Sequence, residues 1–378
     1  MLKKIEISKD FLYLGFCCYL VSLVYGTAAI DNCDLFRKIG SIISVVFLCA
    51  SILLSKRVSY YLKESYLYCF LLLLLLQAVF SYDFLILILL LIYFAIDRFS
   101  IDLIFKLSFI SLTLITILIV LLSFCGITEN ILLERYSTFG IVVRNSFGFQ
   151  WALCLPDIVV YLSMYLCIGK KNFFFKDFLI FEFLSVLLYL LCDSKNAIVS
   201  MQLVVIGFFF VKLFNSSFYR KLLYLVSIFI FPVLTFISYY ILYLYINHES
   251  SGLMLNDLLT GRLNLTDLNM NLYPMKILNI TDSDSMKNIA VHTIDSGYFY
   301  LGFRYGLWVY LFYWALCYLI SKYFWQVKNY YGMTSIIVVL LMSFIDNNFI
   351  GYGFLPFYVV ALYSFKLFLN KYARRAKN

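Results

Sequence analysis

Apolar stretches long enough to cross a bilayer recur along almost the whole chain, with short polar clusters between them. A helix of about 17–25 apolar residues spans the hydrocarbon core. Twelve stretches answer to that length, near residues 11–30, 39–55, 65–81, 84–96, 103–125, 150–168, 178–192, 197–212, 222–246, 298–320, 333–345 and 349–366. Three of these (84–96, 178–192 and 333–345) are short, and tilt, a re-entrant path or flanking aromatic residues would complete them. Ser81-Tyr82-Asp83, between the third and fourth, predicts a tight turn at the surface. Lysines ahead of the first stretch would also suit a signal peptide, but its bulky Phe and Tyr residues and the lack of an A-x-A site favour a retained span. The pattern is interrupted by two longer polar segments, 126–149 and 247–297. The expectation is an all-α, polytopic membrane protein with about 12 transmembrane helices, a single integral membrane domain over 1–378, and one large extracytoplasmic loop.

Composition strengthens this picture. Apolar residues make up 63% of the 378 and charged residues 13%, against roughly 45–50% and 25% in soluble domains, so a water-soluble fold is excluded. The 39 Phe and 33 Tyr are open to two readings, aromatic rings at the headgroup level or the base composition of the genome. Seven of the ten cysteines, Cys17, Cys18, Cys49, Cys69, Cys154, Cys167 and Cys317, lie within apolar runs and read as small hydrophobes. With no C-x-x-C and two histidines in the chain, a Cys/His metal site is not expected.

The net charge of +9 first reports topology. With the N-terminus placed inside, all but nine of the 30 Lys and Arg fall on the cytoplasmic side, and both termini are cytoplasmic. The nine on the other side are Arg37, Lys38, Arg135, Arg144, Lys195, Arg262, Lys276, Lys287 and Arg304. Most of the positive charge is thereby explained without a nucleic-acid partner.

Those outward cations run against the topological bias, so each carries a functional hypothesis. Arg135 and Arg144 lie in the first outer loop, Arg262 in the second, and Arg304 just beyond it. A guanidinium is a planar, always-charged fork suited to phosphate oxygens, and several on one face suggest capture of an anionic, diphosphate-bearing ligand. The alternative is structural pairing with Glu129, Glu134, Asp257 or Asp295. Asp193-Ser194-Lys195-Asn196 and Asp346-Asn347-Asn348 are expected at the same face, with Asp157 and Glu182 deeper. Leu253, Leu255, Leu258, Leu259 and Leu263 have the spacing of a short amphipathic helix at the membrane surface.

Four segments carry a resemblance to a known family. They are Arg144-Asn145-Ser146-Phe147-Gly148-Phe149, Asp193-Ser194-Lys195-Asn196, Thr260-Gly261-Arg262, and the run from Asp295-Ser296-Gly297-Tyr298 to Arg304-Tyr305-Gly306. Over residues 126–310, and in its general hydropathy, the chain resembles the Wzy-type polysaccharide polymerases, which join lipid-linked repeat units into O-antigen or capsule. It departs from them in reading Gln150-Trp151-Ala152 where related chains have a His-Pro-Asn-like stretch, and Ser194-Lys195 where they have Ser-Arg. The resemblance implies a metal-independent membrane glycosyltransferase of GT-C-like fold, without cofactor, acting on the outer face of a bacterial plasma membrane. Its partners would be an undecaprenyl-diphosphate-linked glycan donor and acceptor, membrane lipids and a chain-length regulator protein. Arg144, Arg262 and Arg304 would hold diphosphate, with Arg135 and Lys195 as further candidates. His292, His248, Asp295 and Glu249 are the candidate bases for the acceptor hydroxyl, His292 favoured for its closeness to the Asp295–Arg304 run. An O-antigen ligase shares the donor and the large outer loop. A repeat-unit flippase or another transporter would show matched halves, and none is evident in the sequence.

Overall fold

The computed structural model describes residues 2–54, 84–137, 140–214, 216–259, 261–272, 277, 296–344 and 352–375. Helix dominates them, and the helices are numbered here α1 to α14 in chain order. Four are long and apolar enough to cross a membrane, over Glu6–Tyr25, Cys33–Leu53, Ile101–Phe124 and Ser217–Ile246. They carry outward apolar side chains such as Leu114, Leu121, Phe229 and Phe236, a surface that lipid satisfies and water does not. The chain is a membrane-embedded protein. The predicted span 65–81 lies outside the described residues.

The chain divides into two compact units, Met1–Val205 with Leu355–Asn378, and Ile206–Phe354. The first unit holds α1 (Leu2–Tyr25), α2 (Cys33–Leu53), α3 (Leu85–Ala95), α4 (Ile101–Phe124), α5 (Cys154–Lys170), α6 (Phe175–Cys192), the start of α7 (Lys195–Leu213) and α14 (Leu355–Arg375). Its α1–α2 pair is antiparallel and zipped by small residues. Ser8 and Ser51 exchange hydroxyl-to-carbonyl bonds of 2.9 and 2.6 Å, Ser44 donates to Gly15 O at 2.7 Å, and Ser22 meets Ser41 at 3.4 Å. Positions 8, 15 and 22 are a heptad apart, so one stripe of α1 faces α2 throughout and the two backbones approach closely, as small residues allow between helices in lipid.

Polar contacts sort the connections of this unit between two ends. At one, Arg98 donates to Ser8 Oγ and to Ser51 O, Lys366 pairs with Asp97 at 3.1 Å, and Lys171 pairs with Asp102 at 2.7 Å. Lys170 joins the same end, paired at 3.2 Å with the buried Asp177, whose other oxygen accepts from Phe174 N and caps α6. At the other end, Ala29 N donates to Gly148 O, Gln150 N to Thr27 O and Glu129 N to Ala29 O. Ser8 and Thr27 are 19 residues apart, about 28 Å along a helix, close to the thickness of a hydrocarbon core.

One departure from an all-α fold sits at this second end. The loop 126–149 contains an antiparallel hairpin, β1 (Leu132–Ser137) and β2 (Gly140–Asn145), in register from Leu132↔Asn145 to Ser137↔Gly140. The β-branched run Ile141-Val142-Val143 favours a strand there.

The second unit is built around α8 (Ser217–Ile246), against which α9 (Ser250–Leu258), α10 (Arg262–Leu272), α11 (Gly297–Tyr305), α12 (Trp308–Gln326) and α13 (Tyr330–Met342) pack. The stretch expected as one span over 298–320 is two helices, because Gly306 at φ 86° and ψ 176° ends α11. The short α11 is fixed by its aromatic residues. Tyr298 is fully buried, packs at a tilt against Phe231 with ring centroids 5.3 Å apart and donates its hydroxyl to Leu340 O at 3.0 Å, while its own carbonyl accepts from Tyr310 Oη at 2.7 Å. Phe299 meets Tyr239 edge-on at 5.2 Å, and Tyr239 shares a 2.8 Å hydroxyl contact with Tyr310.

Candidate functional site

The four segments that carry the family resemblance fold into two pairs, one in each unit. In the first unit, Arg144 and the Asp193 turn come together. Arg144 is the penultimate residue of β2, opposite Leu133. Asp193 closes α6 in a left-handed conformation, φ 44° and ψ 41°, which turns its carboxylate back toward the hairpin. Arg144 Nε lies 3.6 Å from Asp193 Oδ2, with the side chains 15% and 22% exposed. Asn145 reinforces the contact by donating to Leu191 O at 3.4 Å.

The turn that follows is held by side chains. Asn130 Oδ1 accepts from Ser146 N at 3.1 Å and Phe147 N at 2.9 Å, and Ser146 Oγ accepts from Ile131 N at 2.8 Å. Phe147 and Gly148 both take positive φ, 48° and 86°. Asn145, Ser146 and Gly148 are thus set by the geometry of a tight reversal. The structural alternative for the outward arginines was pairing with Glu129, Glu134, Asp257 or Asp295; Asp193, not among them, meets Arg144. Lys195, at the start of α7, is exposed. The hairpin register puts position 135 on the same face as position 144.

In the second unit, Arg262 and the start of the Ser296 run line one cleft. Its walls are Ser238 and Ile241 from α8, Leu259, Arg262, Leu263 and Thr266 around the start of α10, Ser296 and Phe299 from α11, and Phe344; it is a narrow cleft of about 20 Å³. Arg262 is held at this point by a built turn. Gly261 adopts φ +83° and its amide donates to Asn256 O at 2.8 Å. The Asn256 side chain accepts from Leu263 N at 3.1 Å and Asn264 N at 3.2 Å, capping α10 from outside. Thr266, one turn on, donates to Arg262 O at 2.8 Å. The apolar spacing from Leu253 to Leu263 therefore covers two helices, α9 ending at Leu258 and α10 beginning at Arg262.

Position 304 falls in the last turn of α11, eight residues and about 12 Å along the axis from Ser296. His248 and Glu249 form the exposed turn between α8 and α9, with His248 at φ 56°, and neither lines the cleft. His292, Asp295 and Asp346-Asn347-Asn348 lie outside the described residues. Asp157 is buried in the first turn of α5, and Glu182 accepts from Gln202 at 2.7 Å between α6 and α7. Among the described residues, no group of three His, Cys, Asp or Glu could hold a metal ion.

Sequence reasoning passed over Asn256, Ser238 and Thr266, and gave Ser296 no role beyond its place in a motif. Thr266 was within reach, since Arg262 and Thr266 share one helix face at i, i+4. The others depend on tertiary contacts. No family model, curated protein or solved structure matches the chain.

Proposed function

We propose that this protein is a membrane glycosyltransferase that polymerises undecaprenyl-diphosphate-linked repeat units into O-antigen or capsular polysaccharide. The observation that carries the reading is the pairing of the four resembling segments into two clusters, each holding an arginine. In one, Arg144 sits with the Asp193 turn; in the other, Arg262 lines a cleft with the Ser296 run.

The chemistry asks for such groups. An acceptor sugar hydroxyl attacks the anomeric carbon of the donor glycan, its proton passes to a base, and the bond from that carbon to the diphosphate oxygen breaks. Negative charge grows on the departing lipid diphosphate, and a preorganised guanidinium in a partly dry site stabilises it well. Donor and acceptor each carry a diphosphate, a group that a guanidinium suits. Arg304 and Arg135 join this set as further ligands, with Lys195 at its rim. Of the candidate bases, His248 and Glu249 occupy an exposed turn, which favours His292 or Asp295 for proton removal.

In this reading the fold is a GT-C-like bundle of about 12 spans in the bacterial inner membrane, with both termini cytoplasmic and both clusters outward. The charge bias supports that orientation: Lys170, Lys171, Arg98 and Lys366 share one end of the first unit, whereas the Arg144 hairpin occupies the other. Purified protein in lipid vesicles, given lipid-linked repeat units alone, is expected to convert them to a ladder of multiples without nucleotide sugar. Units returned unchanged in size would reject the proposal.

A further inference from the structure

At the end of the second unit where α8 begins, cations gather without acids. Lys212, Arg220, Lys221, Lys322 and Lys328 stand at the ends of α7, α8 and α12 and in the turn before α13. Among the described residues of this unit the carboxylates are Glu249, Asp257 and Asp267. All three follow the other end of α8, a helix of 30 residues and about 45 Å. In the first unit, by contrast, lysines at the polar ends meet acids, Lys170 with Asp177, Lys171 with Asp102 and Lys366 with Asp97. In the second unit aromatic rings hold two of the cations. The Arg220 guanidinium lies over Tyr330, 4.9 Å from the ring centre, and Lys322 Nζ lies 5.3 Å from that of Tyr318. Tyr330 is 6.4 Å from Trp325, which in turn is 5.1 Å from Tyr224, one turn along α8 from Arg220. The starts of α8 and α13 and the end of α12 thus meet in one aromatic cluster edged by cations.

Topology asks only for positive charge near a helix end; it does not ask for a cation stacked on a ring of a neighbouring helix. A ring fixes a cation's position without cancelling its charge. Like charges gathered at one place repel unless an anion offsets them. The surface beside them is apolar. Phe218 and Leu225 share a face of α8 with Lys221, Phe229 continues it, and all three are exposed. Phe229 also reaches Trp314 of α12, with ring centroids 6.1 Å apart. We propose that this end of the seam between α8 and α12 binds an anionic phospholipid. Arg220, Lys221, Lys322 and Lys328 hold its phosphate, and an acyl chain lies along Leu225 and Phe229. The adjoining apolar strip favours a lipid over a free anion, because charge and chain are matched together. Tyr and Trp suit that level of a bilayer, where one side of the ring is apolar and the other wet. Basic pockets between transmembrane helices recognise anionic headgroups by the same chemistry. The site is independent of the glycosyl-transfer reading.

The test uses the full-length protein in detergent, with phosphatidylglycerol and phosphatidylcholine of identical chains as probes, and reads retained lipid by native mass spectrometry. The wild type is expected to hold phosphatidylglycerol at least about tenfold more tightly, the scale of two cations at a membrane surface. Arg220→Gln/Lys322→Gln is expected to abolish that preference, at about fivefold for each cation removed, and to leave phosphatidylcholine binding unchanged. Should that variant fail to fold, Lys221→Gln/Lys328→Gln alters two exposed side chains and is expected to weaken phosphatidylglycerol at least about fivefold. Lys9→Gln/Lys176→Gln removes the same charge from exposed positions of the first unit and is expected to keep the preference. Equal retention of the two lipids by the wild type overturns the proposal. So does a preference that survives both second-unit variants, or one that the first-unit variant loses equally, since net charge alone would then explain it. Inorganic phosphate, matched in ionic strength to chloride, is expected to displace no more lipid than chloride does. Complete displacement by phosphate alone makes the site one for a free anion and overturns the assignment to a lipid.

Discussion

Arg262→Ala is expected to eliminate polymer while the protein's level in the membrane stays unchanged. Arg262 begins α10, and the turn that places it is made by Asn256 and Gly261, whose contacts use backbone groups of 261–264 and not the guanidinium. Thr266 likewise holds the Arg262 carbonyl, so truncating the side chain leaves these backbone contacts in place. What is lost is the charge in the cleft. Removing one preorganised donor from a site of developing negative charge costs about 10²–10³ in rate, enough to reduce a ladder of many units to one or two. Arg262→Lys keeps the charge without the planar fork and is expected to fall between. Immunoblotting beside a glycan gel reads both quantities, and wild-type chain lengths in Arg262→Ala would remove this residue from the site. Arg304→Ala, compared in the same gel, asks whether the last turn of α11 contributes.

The second large effect is expected at Gly252. A Cβ built there would lie 2.5 Å from Leu244 C and Tyr245 N and 2.7 Å from Leu244 O. All three are backbone atoms of α8, which cannot swing aside as a side chain would. Gly252→Ala therefore has to push α9 off α8, and Gly252→Val further still. Overpacking of this kind costs about 1–3 kcal/mol, but the functional loss is expected to exceed the loss of stability. Asn256 rides on α9 and caps α10, so α9 carries Arg262 with it, and misplacing a catalytic group by about 1 Å can cost 10²-fold. The expected result is a folded protein with little polymer. Normal polymer from Gly252→Val would show that the α8–α9 contact does not position Arg262.

Hydropathy located most of the helices because lipid imposes one simple rule; α9 and α10 fall outside the expected apolar runs, in the polar segment 247–297. It failed where the deciding feature was a backbone angle or a distant partner. The run from Tyr298 to Ile320 is apolar apart from Arg304, and nothing in its hydropathy marks the conformation of Gly306 that divides it. The hairpin went unseen because 126–149 was read for its polar residues, although Ile141-Val142-Val143 carried a strand signal. At the candidate sites, arginines stood out as charges on the unfavoured side of the bilayer. Their surroundings did not, since the Asp193 that meets Arg144 and the Ser296 that shares the cleft with Arg262 are brought near by folding.

The most direct test of the central claim is a gel of surface polysaccharide from a strain lacking this gene. The account predicts that the ladder disappears while single repeat units still reach the final acceptor, and that the intact gene restores the ladder. An unchanged ladder would contradict it. So would loss of all surface glycan with lipid-linked units held at the inner face, the result for a flippase, or accumulation of long chains on the carrier lipid, the result for a ligase.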